Sequence, residues 1–152
     1  MISIRQIEDI NELLLWRKEV IENVFGEVPS EKLMERNRSY YFRHLSDHTH
    51  LAFVASLDGI EVGCGSLCLT EELPSPDNFT GYCGYLMNIY VREGFRDKGV
   101  GHFIVTRLIE EAKLRNCGKI YLETTDEGRP VYESLGFKDL PDMMKLTYDT
   151  KN

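Results

Sequence analysis

One stretch concentrates the residue types that bind a phosphate: Val91-Arg92-Glu93-Gly94-Phe95-Arg96-Asp97-Lys98-Gly99-Val100-Gly101. An apolar strand stops there, a short basic loop with glycines follows, and an amphipathic helix begins. The first N–H groups of a helix have no partner inside it and sit at its positive end, so such a junction can hold phosphate oxygens. Gly99 and Gly101 allow the backbone to approach a ligand where a Cβ would intrude. Arg96 and Lys98 can add charge-assisted bonds.

The common phosphate loops do not fit this spacing. A Walker loop needs Lys and Ser or Thr after its last glycine, and here Val100 and Gly101 follow Gly99. A dinucleotide fingerprint needs a third glycine three residues beyond Gly101, where the chain has Ile104. Metal chemistry finds no ligand set either. Cys64, Cys68, Cys83 and Cys117 form no Cys-x-x-Cys pair, and no histidine stands at zinc-finger spacing from them. His44 and His48 are four apart but lack a matching carboxylate. The cysteines are expected to be reduced and structural, Cys64 and Cys68 facing the same way on one strand.

The elements that must position the loop can be read from periodicity. Ile2, Ile4 and Ile7 suggest a first strand, and Asp9-x-x-Glu12 a helix cap. Ile10, Leu13, Leu14, Val20, Ile21 and Val24 then make one stripe that Gly26 and Pro29 end. Ser30 caps a second helix bearing Leu33, Tyr40, Tyr41 and Leu45; these tyrosines and Trp16 read as core packing. Leu51–Leu57 and Ile60–Thr70 form a hairpin about Asp58-Gly59. Glu71–Tyr82 is a Pro- and Gly-bearing loop long enough to border a substrate site. Cys83–Val91 is apolar on both faces, as a central strand should be. A long helix over Gly99–Arg115, a strand over Lys119–Thr124, a short helix over Glu127–Leu135 and a closing strand or hairpin from Phe137 through Met143 to Tyr148 complete the order. The class is mixed α/β, organised as layers.

Composition narrows the function classes. With 152 residues, 42% hydrophobic content and 28% charged content, one domain over residues 1–152 is expected. No apolar run reaches the ~18–20 residues that span a bilayer, and the start lacks the pattern of a signal peptide, so a cytoplasmic protein without a membrane partner is expected. The net charge of −7 speaks against nucleic acid as a partner. Arg92 to Lys119, however, holds seven basic residues against four acidic ones, a local positive patch suited to a small anion.

Arg96-x-x-Gly99-x-Gly101 resembles the Arg/Gln-x-x-Gly-x-Gly/Ala signature of the GNAT N-acetyltransferase superfamily. Ile89-Tyr90-Val91 is similar to that family's strand before the loop, and Tyr132-Glu133-Ser134-Leu135-Gly136-Phe137 to its Tyr-x-x-x-Gly-Phe tail motif. The resemblance is specific over about Tyr85 to Phe137 and topological before that. It implies a central sheet of about six or seven strands with about four helices, and transfer of an acetyl group from acetyl-coenzyme A to a primary amine. No metal is implied, and a homodimer is compatible with it.

The resemblance implies roles as well. Ile89, Tyr90, Val91, Arg96, Asp97, Lys98, Gly99, Val100 and Gly101 would hold acetyl-CoA, with its pyrophosphate on the loop, and Tyr132 would be the general acid toward the departing thiolate. Tyrosine at ~10 and a thiol at ~8.5 are close enough for that proton transfer. Two positions depart from the family pattern: Glu93 stands where Pro is frequent, and Thr125 where Asn is frequent. Thr125 can still donate a hydrogen bond to the cofactor. An alkylammonium with pKa ~10.4 needs roughly 4–5 kcal/mol to lose its proton at neutral pH, so a base is needed. The central strand carries no carboxylate, which leaves Glu123, Glu71 and Glu72 as candidates and Asn88 as a residue that could hold water or substrate. A non-catalytic acyl-CoA-binding sensor is the rival reading of the same loop.

Overall fold

Alternating Ile2–Ile7 forms β1, which pairs with the next strand of the chain although two helices intervene. A computed structural model describes residues 1–151. After β1 come α1 (Ile10–Val20), continued by a π-helical stretch Ile21–Phe25, then α2 (Glu31–Ser46), β2 (His50–Leu57), β3 (Ile60–Glu71), β4 (Tyr82–Val91), α3 (Val100–Leu114), β5 (Lys119–Leu122) and α4 (Arg129–Ser134). The Asp9 carboxylate accepts from the Glu12 amide and the Ser30 hydroxyl from the Leu33 amide, which fixes where α1 and α2 start. Gly26, at φ 73°, ends the first helical run.

The sheet runs β1-β2-β3-β4-β5, antiparallel except for the parallel β4–β5 pair. Asp58 and Gly59 both take positive φ, 50° and 85°, the pair of angles a two-residue turn needs to match strand twist. Each face of the sheet carries its own core. On one, Val100, Ile104, Val105, Leu108 and Ala112 of α3 bury against Phe53, Val62, Leu67 and Leu86, with Val131, Tyr132 and Leu135 of α4 at the margin. On the other, Leu13, Leu14, Trp16 and Val20 of α1 and Tyr41 of α2 bury against Ala52, Val54, Cys64 and Tyr90. Gly65 lets α3 lie directly on β3: a Cβ there would stand 2.5 Å from Ile104 Cγ2.

Strand β4 is irregular on both sides. Opposite β3, Cys64 pairs with Tyr90 but Ser66 pairs with Met87, so β4 carries one extra residue. The bulge contains Asn88 at φ 57°. On its other side β4 pairs with β5 only from Cys83 to Leu86. Past that point the two strands part, and a cleft opens beside Asn88–Val91.

The closing strand expected from Phe137 to Tyr148 is not formed, so the sheet has five strands among the described residues rather than six or seven. Phe137 packs edge-on against Tyr132, but Leu140, Met143, Met144, Leu146 and Tyr148 are exposed. A strand requires a hydrogen-bonding neighbour, and this stretch lies beside none; brief apolar alternation alone does not specify one. The remaining elements end within about two residues of expectation, as helix and strand ends commonly fray.

Candidate active site

Arg92 N–H donates to Val62 O of β3 at 2.8 Å. In an antiparallel pair alternate residues face the same neighbour, so Ile89 and Val91 aim their backbone groups the other way, into the cleft that β5 has vacated. Arg96 confirms the direction, because its Nε donates to Val91 O at 2.9 Å. The guanidinium is thereby held by a neutral oxygen, and its charge remains available.

Beyond Arg96 the loop turns through Asp97 at φ 60° and Gly99 at φ 84° into α3. The first helical bond is Phe103 N–H to Gly99 O at 3.0 Å. Among the described residues no protein acceptor meets the amides of Arg96 to His102, and no side chain caps the helix. A diphosphate site requires this condition, since amides already bonded within the protein could not serve a ligand. Lys98 is exposed, with no ion pair among the described residues. A Cβ at Gly101 would meet nothing nearer than Val91 Cγ2 at 3.9 Å, so packing within the protein does not demand glycine there and the space beside it is open.

Arg92, counted in the basic patch, is spent elsewhere. It pairs with Glu19 through Nε and Nη2 at 2.7 and 2.9 Å and stacks 4.5 Å from the Trp16 ring. Arg107 and Arg115 both pair with Glu111. Arg96 and Lys98 are what remain for an anion at the loop.

The other expected site residues scatter. Tyr132 is half-buried on α4, and burial raises its pKa above the ordinary phenol value. Thr125 closes the turn before α4: its carbonyl accepts from the Gly128 and Arg129 amides at 3.2 Å and its hydroxyl from Gly128 N–H. Glu72 is held by Asn78 at 3.1 Å and Lys119 at 3.4 Å, and those contacts lower its pKa, the Asn78 bond first. Glu71 opposes Tyr82, six residues or ~20 Å along β4 from Asn88. The structure therefore does not bring Glu71 or Glu72 to the cleft. Glu123 is exposed, one step past the last paired residue of β5.

On the α1–α2 face, directly behind the bulge, lies a cavity of about 330 Å³ that sequence reading did not foresee. Arg17, Asn37, Tyr40, His50, Cys68 and Asn88 are in its wall. Tyr40, read as core, has its hydroxyl 2.8 Å from His50 Nδ1 and 3.1 Å from Cys68 Sγ. Burial raises the Tyr40 and Cys68 pKa values and pushes His50 down to about 4. These groups are all neutral near pH 7. Their spacing along the chain carries no signal, because five elements contribute to one wall.

A basic loop with free amides, a parted β4–β5 pair and a cavity behind the bulge would suit an extended thioester cofactor on one side and an acceptor on the other. The acetyltransferase (GNAT) family profile matches residues 10–137. The chain belongs to that family. Glucosamine 6-phosphate N-acetyltransferase of Candida albicans is 27% identical over 114 residues, 75% of this chain and 73% of the relative. A predicted acetyltransferase from Clostridium acetobutylicum, crystallised with acetyl-CoA, superposes with TM-score 0.85 and 26% identity over 97% of this chain and 96% of that one. Glucosamine-6-phosphate N-acetyltransferase from Arabidopsis thaliana shares the fold at TM-score 0.71 and 21% identity, over 98% and 99% of the two chains. This GNAT protein is an acetyl-CoA-dependent N-acetyltransferase whose acceptor is an amine.

Proposed function

We propose that this chain, as a single GNAT domain, acetylates the primary amine of a small polar acceptor of the aminosugar class, and that it acts as a homodimer. The free amides from Arg96 to His102 carry the reading, because they are what an acetyl-CoA pyrophosphate needs and none of the described residues uses them. Bound there, acetyl-CoA supplies an acyl thioester. Val100, Gly101 and His102 N–H groups donate to phosphate oxygens, with Arg96 and Lys98 adding charge. Ile89 N–H, at the parted edge of β4, is placed to donate to a carbonyl oxygen in the cleft. Tyr132 retains its phenolic proton across the neutral range and hands it to the departing sulfur.

The aminosugar class is supported by the curated relative, which is named for glucosamine 6-phosphate. No carboxylate of the described residues lines the cavity behind the bulge, so we assign the amine's proton to solvent reached through that cavity. Thiol release from acetyl-CoA across an amine panel tests the function. Turnover of at least one small primary amine is expected; tight acetyl-CoA binding with no turnover on any would favour a non-catalytic sensor.

A further inference from the structure

We infer that Arg17 is an anion-recognising residue in the cavity behind the β4 bulge, and that the acceptor amine therefore carries a carboxylate or phosphate. This rests on the proposed function, in which that cavity receives the acceptor. Several arginines elsewhere in the molecule meet carboxylates: Arg5 meets Glu12 and Glu61, Arg92 meets Glu19, and Arg129 meets Asp139. Arg17 is held differently. Its Nε donates to Asn37 Oδ1 at 3.1 Å and its Nη1 to Asn88 Oδ1 at 2.8 Å. Asn37 in turn is oriented by its own Nδ2, which donates to Leu33 O at 2.9 Å.

Two amide oxygens fix the guanidinium in place and leave its charge uncompensated. A guanidinium has five N–H donors, and two are used, which leaves a free fork matching a planar or tetrahedral oxyanion. No carboxylate of the described residues lies within ion-pair distance of Arg17. His50 shares the wall, only 3% exposed, and its Nε2 has no hydrogen-bond partner among the described residues. An orphaned buried nitrogen is the mark of a group awaiting a ligand or water. Because burial keeps His50 neutral near pH 7, Arg17 is the cation in this wall. The cavity is at the small end of ligand pockets, which favours a compact acceptor.

The test compares rates with acetyl-CoA for two pairs that differ in charge: glucosamine with glucosamine 6-phosphate, and pentylamine with 5-aminopentanoate. One anionic member should exceed its neutral partner at least about tenfold in kcat/KM, and the pair that does so names the group as phosphate or carboxylate. Arg17→Gln should close that gap through KM. Asn37→Asp, which keeps Arg17 but supplies a counter-ion, should also close it, and Arg17→Lys should retain part of it. Equal or faster neutral partners in both pairs, or a gap that survives both Arg17→Gln and Asn37→Asp, would overturn the inference. If none of the four reacts, calorimetric titration decides. Tighter binding of an anionic member, lost in Arg17→Gln, would keep the anion site while removing the proposed aminosugar acceptor; no preference would remove the anion site.

Discussion

At the scale of single residues, charge matters according to what each group is already bonded to. Arg96 is positioned by Val91 O without being neutralised, so Arg96→Ala should raise the acetyl-CoA dissociation constant by roughly tenfold, the worth of about one charge-assisted bond; calorimetry reads this directly. Tyr132 is half-buried and holds its proton above the ordinary phenol value. The alkaline limb it sets in the pH–rate profile should therefore lie above the ordinary phenol range, and Tyr132→Phe should lower kcat by ~10²-fold with cofactor affinity unchanged. His50 gives a stability prediction of definite sign. Its folded pKa is depressed to about 4 from 6.5, mainly by desolvation. Between those values the unfolded chain binds the extra proton, so stability falls as pH drops through that window, by about 3 kcal/mol in all. The carboxylates Glu19, Glu72 and Glu111 have lowered pKa values, and their contribution begins to fall about one unit above the unfolded midpoint of 4.5, near pH 5.5. Denaturation curves from pH 7 to about 5.5 read the histidine before those carboxylates act, and His50→Gln should flatten them.

At the scale of elements, the sequence was informative wherever one residue determines local geometry. Asp9 and Ser30 marked helix starts because a cap needs a short oxygen-bearing side chain, and Asp58-Gly59 marked a turn because positive φ needs those types. The loop from Arg96 to Gly101 was legible for the same reason. What could not be read was long-range. The Asn88 bulge is invisible within an apolar strand, since it exists only relative to the register with β3. The Arg17–Asn37–Asn88 network joins residues up to 71 apart. The expected strand over 137–148 failed because alternation does not supply a partner. Close packing of α3 on β3 is testable at Gly65. Gly65→Ala brings a Cβ against Ile104 and should lower stability by about 1–3 kcal/mol, read as a drop in melting temperature.

At the scale of the whole molecule, exposed apolar side chains gather on the C-terminal stretch. Met144 is 99% exposed, Leu146 88% and Tyr148 76%, and none of them touches either core. Among the described residues, β5 ends the sheet with no strand on its outer side. Apolar side chains left exposed on the tail, and a sheet edge left open at β5, are each poorly suited to water, and the proposed homodimer would give either of them a surface to bury against. The free amides, Arg96 and the cavity behind the bulge all lie outside this stretch. The proposed homodimer is thus separable from cofactor binding. Sedimentation of the full chain should give twice the monomer mass at micromolar concentration, while a chain stopped after Asp139 should sediment as a monomer and bind acetyl-CoA with unchanged affinity. A full chain that sediments as a monomer would remove the dimer and leave the cofactor site as described, because no residue of that site depends on the tail.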